Sequence, residues 1–214
     1  RKIVMVARVI DGKVIAETVK NRVAAEAAEF LRVTGITATL AAVLIGDDPA
    51  SQVYVRNKER ACHKAGLRSV LHRLPADISR VELMDLIAKL NQDPSVHGIL
   101  VQLPLPKHLD SAMVLDAVSP VKDVDGFHPI NVGKLVTGIG GFVPCTPAGI
   151  VELLVRSSIK TSGKHVVVVG RSNIVGKPMS VLMGRNNEPG NCTVTLCHSK
   201  TKDISQISKT SDII

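Results

Sequence analysis

Short β-branched apolar runs alternate with helical patterns along almost the whole chain, and this alternation constrains its fold more than any other feature. A helical pattern from Val14 to Val33 stops at Gly35, a residue suited to the left-handed position after a helix. Thr39–Gly46 reads as a buried strand. A helix from about Pro49 to Gly66 follows, with Asp48 as cap and Pro49 in its first turn. Arg68–Leu74 reads as a strand, and the Ser79/Glu82 capping-box spacing opens a helix through Leu90. Gly98–Leu103 is a third strand, and a short helix is expected from about Ser111 to Val118. Strand–helix alternation of this kind feeds a parallel sheet covered on both faces.

The glycine- and proline-rich stretch from Pro120 to Pro144 breaks the rhythm and is expected to be irregular, joining two α/β domains. Beyond it, Thr146-Pro147 should cap a helix from Ala148 to about Ser157. Strand His165–Val169, a glycine-bounded turn, a helix near Pro178 and strand Cys192–Cys197 come next. After a polar stretch, Asp212-Ile213-Ile214 looks like the first residues of another buried strand. The predicted division is 1–145 and 146–214, the second part a Rossmann-like doubly wound parallel sheet that is incomplete at its C-terminus.

Composition narrows the function. The 214 residues are 45% hydrophobic and 21% charged, a globular balance, and the apolar runs are too short to span a bilayer. The formal charge of +8 favours anionic partners, but the basic residues stand singly. With one Tyr, three Phe and no Trp, base-stacking platforms for nucleic acid are not expected. No C-x-x-C pair or paired-histidine spacing suggests a metal site, and four cysteines without a framework suit a reducing, cytoplasmic compartment. The chain opens at Arg1, which leaves room for residues upstream, a mitochondrial presequence among them.

The local pattern around Lys58 carries the first chemical clue. On a helical wheel Tyr54, Val55, Ala61, Cys62 and Ala65 share one arc, and Lys58 sits in its middle. Desolvating an ammonium is costly. Either Lys58 snorkels, with its amine in water, or it lines a cleft where desolvation favours the neutral amine and lets it act as a base. In the second case Tyr54, one turn away, shares the cleft.

Three further features carry similar pairs of readings. Gln102 ends an apolar strand, where open α/β sheets bind ligands; it bonds a neighbouring loop or the lysine. Asp123 and Asp125 stand two apart in a turn. They serve Asx-turn chemistry or offer a carboxylate to the paired N–H donors of a heterocycle. Gly170–Gly176, between strand and helix, is a plain βα turn or a phosphate site at a helix N-terminus. The G-x-G-x-x-G spacing is absent, and Gly138-Ile-Gly-Gly141 has no strand before it. An NAD site carries an acid at the end of the next strand. This chain has His198-Ser199-Lys200-Thr201-Lys202 there, and with Arg171 and Ser172 this suits the 2′-phosphate of NADP.

Taken together, several stretches make the chain resemble the bifunctional methylenetetrahydrofolate dehydrogenase/methenyltetrahydrofolate cyclohydrolase family. They are Ile10-Asp-Gly-Lys13, Pro49-Ala-Ser-x-x-Tyr-Val-x-x-Lys58, Gly98-Ile-Leu-Val-Gln-Leu-Pro-Leu-Pro106, Lys122-Asp-Val-Asp-Gly-Phe-His-Pro129, Pro144-Cys-Thr-Pro147 and Gly170-Arg-Ser-Asn-Ile-Val-Gly176. The resemblance implies folate bound in a cleft between the two domains, NADP on the second, and a homodimer. It makes Lys58 the catalytic lysine, Gln102 its hydrogen-bonding partner, Tyr54 the ring that stacks on folate and Asp125 the acid that reads the pterin. Ser51, Val55, Arg56, Asn57, Val101 and Leu103 complete the implied substrate contacts. Gly170, Arg171, Ser172, Ile174 and Ser199 are the implied cofactor contacts. The family's later Pro-Gly-Gly-Val-Gly-Pro segment has no counterpart here, so a longer protein is expected.

The implied chemistry takes hydride from the one-carbon bridge of 5,10-methylenetetrahydrofolate to NADP. Water then attacks the resulting methenyl cation to give 10-formyltetrahydrofolate. A charged lysine would repel that cation, so a neutral amine suits both steps. Two other functions fit parts of the pattern: a dehydrogenase without the hydrolytic step, and a basic nucleotide-binding module that performs no chemistry.

Overall fold

The computed structural model describes residues 7–214, so the first six residues of the expected 1–145 unit lie outside it. Helix α1 (Gly12–Thr34) is capped by the Asp11 carboxylate, which accepts the Lys13 and Val14 N–H groups, and ends on Gly35 at φ 70°. Strand β1 (Thr39–Ile45) is followed by α2 (Pro49–Lys64), where Asp48 accepts the Ser51 N–H and Pro49 occupies the first turn. Strand β2 (Arg68–Leu74) leads to α3 (Arg80–Gln92), opened by the reciprocal Ser79/Glu82 capping box. Strand β3 (Gly98–Val101) and α4 (Ser111–Asp116) come next.

These strands form a parallel sheet in the order β2-β1-β3, with Leu40 opposite Gly98 and Val43 opposite Val101. Alternation along the strands gives each face its own cover. Ala41, Val43, Ile45, Ile99 and Val101 pack with Leu83, Ile87 and Val114 of α3 and α4. Ala42, Leu44 and Leu100 point the other way, toward the side on which α2 contacts β1 and β2. The fold is α/β, as expected.

The stretch after Pro120 corrects one expectation. It holds a helix, α5 (Pro129–Thr137), whose start is capped by the His128 ring and whose end is Gly138 at φ 75°. Helix α6 (Cys145–Arg156) begins before Thr146-Pro147, with Pro144 at its head and no side-chain cap. Strand β4 (His165–Val169), α7 (Gly176–Gly184) and β5 (Thr193–Cys197) build a second parallel sheet. Leu154 and Val166 pack there with Met179 and Met183. The polar stretch after His198 contains a further short helix, α8 (Ile204–Lys209). Ile213 then pairs with Val166, accepting the Val167 N–H at 2.9 Å, so the last residues do run beside β4.

Candidate active site

Strand β3 ends one residue before Gln102, whose N–H still donates to the Val43 carbonyl at 2.9 Å. That bond fixes the residue at the carboxyl edge of the sheet while freeing its side chain. Its Oε1 accepts the Lys58 Nζ at 3.0 Å, and its Nε2 donates to the Leu103 carbonyl at 2.7 Å. The two readings of Gln102 are therefore both realised, one at each end of the amide. Lys58 does not snorkel free: its amine is bound, and the side chain is half-buried.

This pair sits in the wall of a cavity of about 680 Å³ between α2, the edge of β3, the Val124–Phe127 loop and the start of α6. Tyr54, Lys58, Val101, Gln102, Leu103 and Asp125 line it, as do Leu40, Ala61, Cys62, Leu100, Phe127, Cys145 and Thr146. Tyr54 is 60% exposed and stands at the rim, a flat face open to a ligand rather than a core ring. The apolar arc of α2 is thereby split. Val55, Cys62 and Ala65 enter the core, while Tyr54 and Ala61 stay exposed and face the cavity.

The acids separate in the same way. Asp123 is buried, and its Oδ2 accepts the His128 N–H at 2.9 Å and the Asn131 Nδ2 at 2.8 Å. Asp125 lines the cavity. Burial pushes its carboxyl above the ordinary carboxylate range; the Lys58 charge pulls it back, and the Asp123 charge adds to the rise. Cys145 keeps solvent access at the rim, yet its crowded surroundings and the nearby Asp125 push the thiol up. A thiol so placed is a poor nucleophile.

The glycine turn meets the same cavity from the other side. Gly170 donates to the Cys197 carbonyl at 2.8 Å and has φ 137°, a conformation open chiefly to glycine. A Cβ on Gly176 would collide with the Gly170 carbonyl, so strand end and helix start approach as backbone on backbone. Ser172 Oγ accepts the Val175 and Gly176 N–H groups at 3.1 and 3.3 Å and so caps α7. Its proton remains free to donate. Arg171, Ser172, Ser199, Lys200 and Lys202 are all exposed around the two strand ends, and the run Cys197–Lys202 contains no acid. These features fit a dinucleotide phosphate, and the absence of an acid fits NADP.

The structure brings Ile174, expected on the cofactor side, into the wall of the Lys58 cavity. It leaves other expected contacts outside that wall. Ser51 is 3% exposed and tied by its N–H to Asp48 at 2.8 Å; Val55 is 1% exposed in the core. Arg56 and Asn57 are exposed on the opposite side of α2, since residues two and one before Lys58 point elsewhere. Missed by sequence reasoning were Cys145, Thr146 and Phe127. They stand in the Pro144–Pro147 and Lys122–Pro129 stretches that carry the resemblance, which was the available signal.

Among the described residues no cluster of His, Cys, Asp and Glu could hold a metal, and no helix is long and apolar enough to cross a membrane.

Comparison with known proteins agrees with this geometry. Residues 10–125 match the tetrahydrofolate dehydrogenase/cyclohydrolase catalytic domain, and residues 144–214 match the NAD(P)-binding domain of the same enzymes. The bifunctional protein FolD of Magnetococcus marinus is 54% identical over 208 residues, covering 97% of this chain and 72% of that protein. The crystal structure of FolD, a methylenetetrahydrofolate dehydrogenase/cyclohydrolase from Campylobacter jejuni, superposes with a TM-score of 0.90 at 46% identity, over 95% of this chain and 71% of that one. The Trypanosoma brucei dehydrogenase-cyclohydrolase, solved with NADP and an inhibitor, gives a TM-score of 0.91 at 36% identity, over 97% of this chain and 71% of that one. The chain belongs to the tetrahydrofolate dehydrogenase/cyclohydrolase family.

Proposed function

We infer that the protein oxidises 5,10-methylenetetrahydrofolate with NADP and hydrolyses the methenyl product to 10-formyltetrahydrofolate. One observation carries this reading: the cavity holding the Lys58–Gln102 bond is walled on one side by Asp125 and on the other by Ile174 of the glycine turn. A ligand in that space touches both halves of the chemistry. The proposed division places folate binding in residues 1–145 and NADP binding in residues 146–214.

In this reading Tyr54 stacks its exposed ring on the folate, and Asp125 accepts paired N–H donors from the pterin. NADP, when bound, accepts the hydride that leaves the one-carbon bridge. The cation left behind shares its charge with two folate nitrogens. The Lys58 amine takes a proton from the water that attacks the bridge carbon. Gln102 orients that amine by accepting one of its N–H bonds. The carbon–nitrogen bond on the ring side then opens, leaving the formyl group on the other nitrogen.

Arg171, Ser172, Ser199 and the neighbouring lysines are proposed to meet the 2′-phosphate, with Gly170 and Gly176 letting backbone approach the pyrophosphate. The homodimer rests on the family resemblance, and sedimentation would test it. The cytoplasm is the proposed location, supported by four unpaired cysteines.

The test is a spectroscopic assay on methylenetetrahydrofolate and NADP. NADPH should form without lasting accumulation of the methenyl compound. Persistent methenyl absorbance would leave a dehydrogenase alone, and no NADPH would leave a binding module.

A further inference from the structure

We propose that Asp123 and Asn131 are positioning residues for Asp125: a buried carboxylate–amide staple that sets where the cavity carboxylate stands. The proposal rests on the reading of Asp125 as the group that meets the pterin.

Asp123 is 4% exposed and Asn131 1%, so the hydrogen bond between them is made out of reach of bulk water. Asp123 Oδ2 accepts two N–H bonds, from His128 and from Asn131. Asn131 spends its other amide hydrogen on the Pro120 carbonyl at 2.9 Å. One side chain of α5 thus grips the chain both before and at Asp123. The backbone around Asp125 is held to match. Ile99 donates to the Lys122 carbonyl at 2.7 Å, and Gly126 donates to the Asp123 carbonyl at 3.2 Å, closing a turn over Val124 and Asp125. Gly126, at φ 67°, passes so near Phe142 that a Cβ would stand 2.8 Å from its carbonyl oxygen. Asp125 therefore projects from a loop held by the staple at Asp123 and by the close passage of Gly126 at Phe142. A carboxylate that must meet two N–H groups at once is sensitive to displacements well under an ångström.

Asp123 also acts through space. The ionisable groups that bear on Asp125 are Lys58 from α2, Cys145 from α6 and Asp123 from its own loop, and Asp123 opposes the ionised form. Asp123→Asn keeps an acceptor for both N–H donors and deletes the charge. Asn131→Ala keeps the charge and deletes the clamp.

The experiment measures KM for methylenetetrahydrofolate and for NADP across a pH series in wild type, Asp123→Asn, Asn131→Ala and Asp125→Ala. Asn131→Ala should raise the folate KM about three- to tenfold, the worth of a hydrogen bond or so, and leave the NADP KM unchanged. Asp123→Asn should move the acid-side rise in folate KM to lower pH. A merely structural role would cost thermal stability without shifting that limb or separating the two KM values. Where Asn131→Ala fails to fold, Asp123→Asn alone decides. Asp125→Ala should raise the folate KM more than tenfold near neutral pH and remove the acid-side limb. An unmoved limb in Asp123→Asn, or an unchanged folate KM in folded Asn131→Ala, overturns the staple while Asp125 keeps its role. A wild-type folate KM in Asp125→Ala overturns the reading of Asp125 and the staple with it.

Discussion

The Lys58 amine donates to the Gln102 side-chain oxygen across 3.0 Å, and the other end of that amide is spoken for by the Leu103 carbonyl at 2.7 Å. Turning the amide over would place Nε2 against an amine and Oε1 against a carbonyl, so the pair locks its own orientation. The acceptor is an uncharged amide, which positions the amine without an ion pair. A carboxylate in the same place would hold the ammonium instead. The choice of glutamine at the strand end thus matches a lysine that works as a base.

Replacing Lys58 with Met keeps the stem and removes the nitrogen. Hydrolysis of methenyltetrahydrofolate should fall about 10²–10⁴-fold, the usual contribution of a general base, with the fold intact by circular dichroism. A variant hydrolysing the methenyl compound at the wild-type rate would refute the role.

Gln102→Glu tests the reasoning on charge. The new carboxylate should hold Lys58 as the ammonium through a pair at short range, lowering cyclohydrolase activity about tenfold or more near neutrality. Activity should recover as the pH is raised, whereas Gln102→Ala should lose activity without that recovery. Identical pH profiles for the two variants would show that the amide merely fills space.

Much of this was legible in the sequence because each residue type had one economical use. Lysine in an apolar arc and glutamine closing an apolar strand meet across 3.0 Å, and the glycines flanking the βα turn let its two ends approach as backbone. Helical spacing alone does not distinguish a core face from a cavity face: the one arc holds Val55 in the core and Tyr54 and Ala61 exposed beside the cavity. Helix α5 was hidden by Gly133, Gly138 and Pro129, read as breakers. Two of these are helix punctuation: Pro129 sits at the first position and Gly138 just past the last. Asp123 and Asp125 could not be told apart by composition; the packing of α5 over the loop bonds one to Asn131 and leaves the other lining the cavity.

Asp125 should cost the ligand-free protein stability. Its carboxyl titrates above the 3.8 of an unperturbed aspartate, first because of burial, so the folded chain binds the proton more tightly than the unfolded one. The contribution is fully present below the unfolded value and is lost as the pH rises through the folded value. At neutral pH Asp125→Asn should therefore raise Tm, by about 2–4 °C for each kcal/mol of desolvation relieved, while weakening folate binding. Below the unfolded value the Tm advantage should vanish. Thermal melts of both proteins at the two pH values check this, and a gain that persists in acid would point to a cause other than ionisation.

Gly176→Ala probes the turn that carries the cofactor side. A Cβ there has nowhere to go but into the Gly170 carbonyl, and Gly170 is itself fixed by its bond to the Cys197 carbonyl at 2.8 Å and by φ 137°. Relief requires α7 to move off the end of β4, which strains the packing of Met179 and Met183 on Val166. Overpacking of this kind costs about 1–3 kcal/mol. It also opens the Ser172 cap on Val175 and Gly176, where backbone N–H groups would meet phosphate. The KM for NADP should rise at least about tenfold while the folate KM changes little, because the Lys58–Gln102 pair and the staple at Asp123 lie on other elements. Isothermal titration with NADP gives the same comparison without turnover. Unaltered NADP affinity in a folded Gly176→Ala protein would move the dinucleotide site away from this turn.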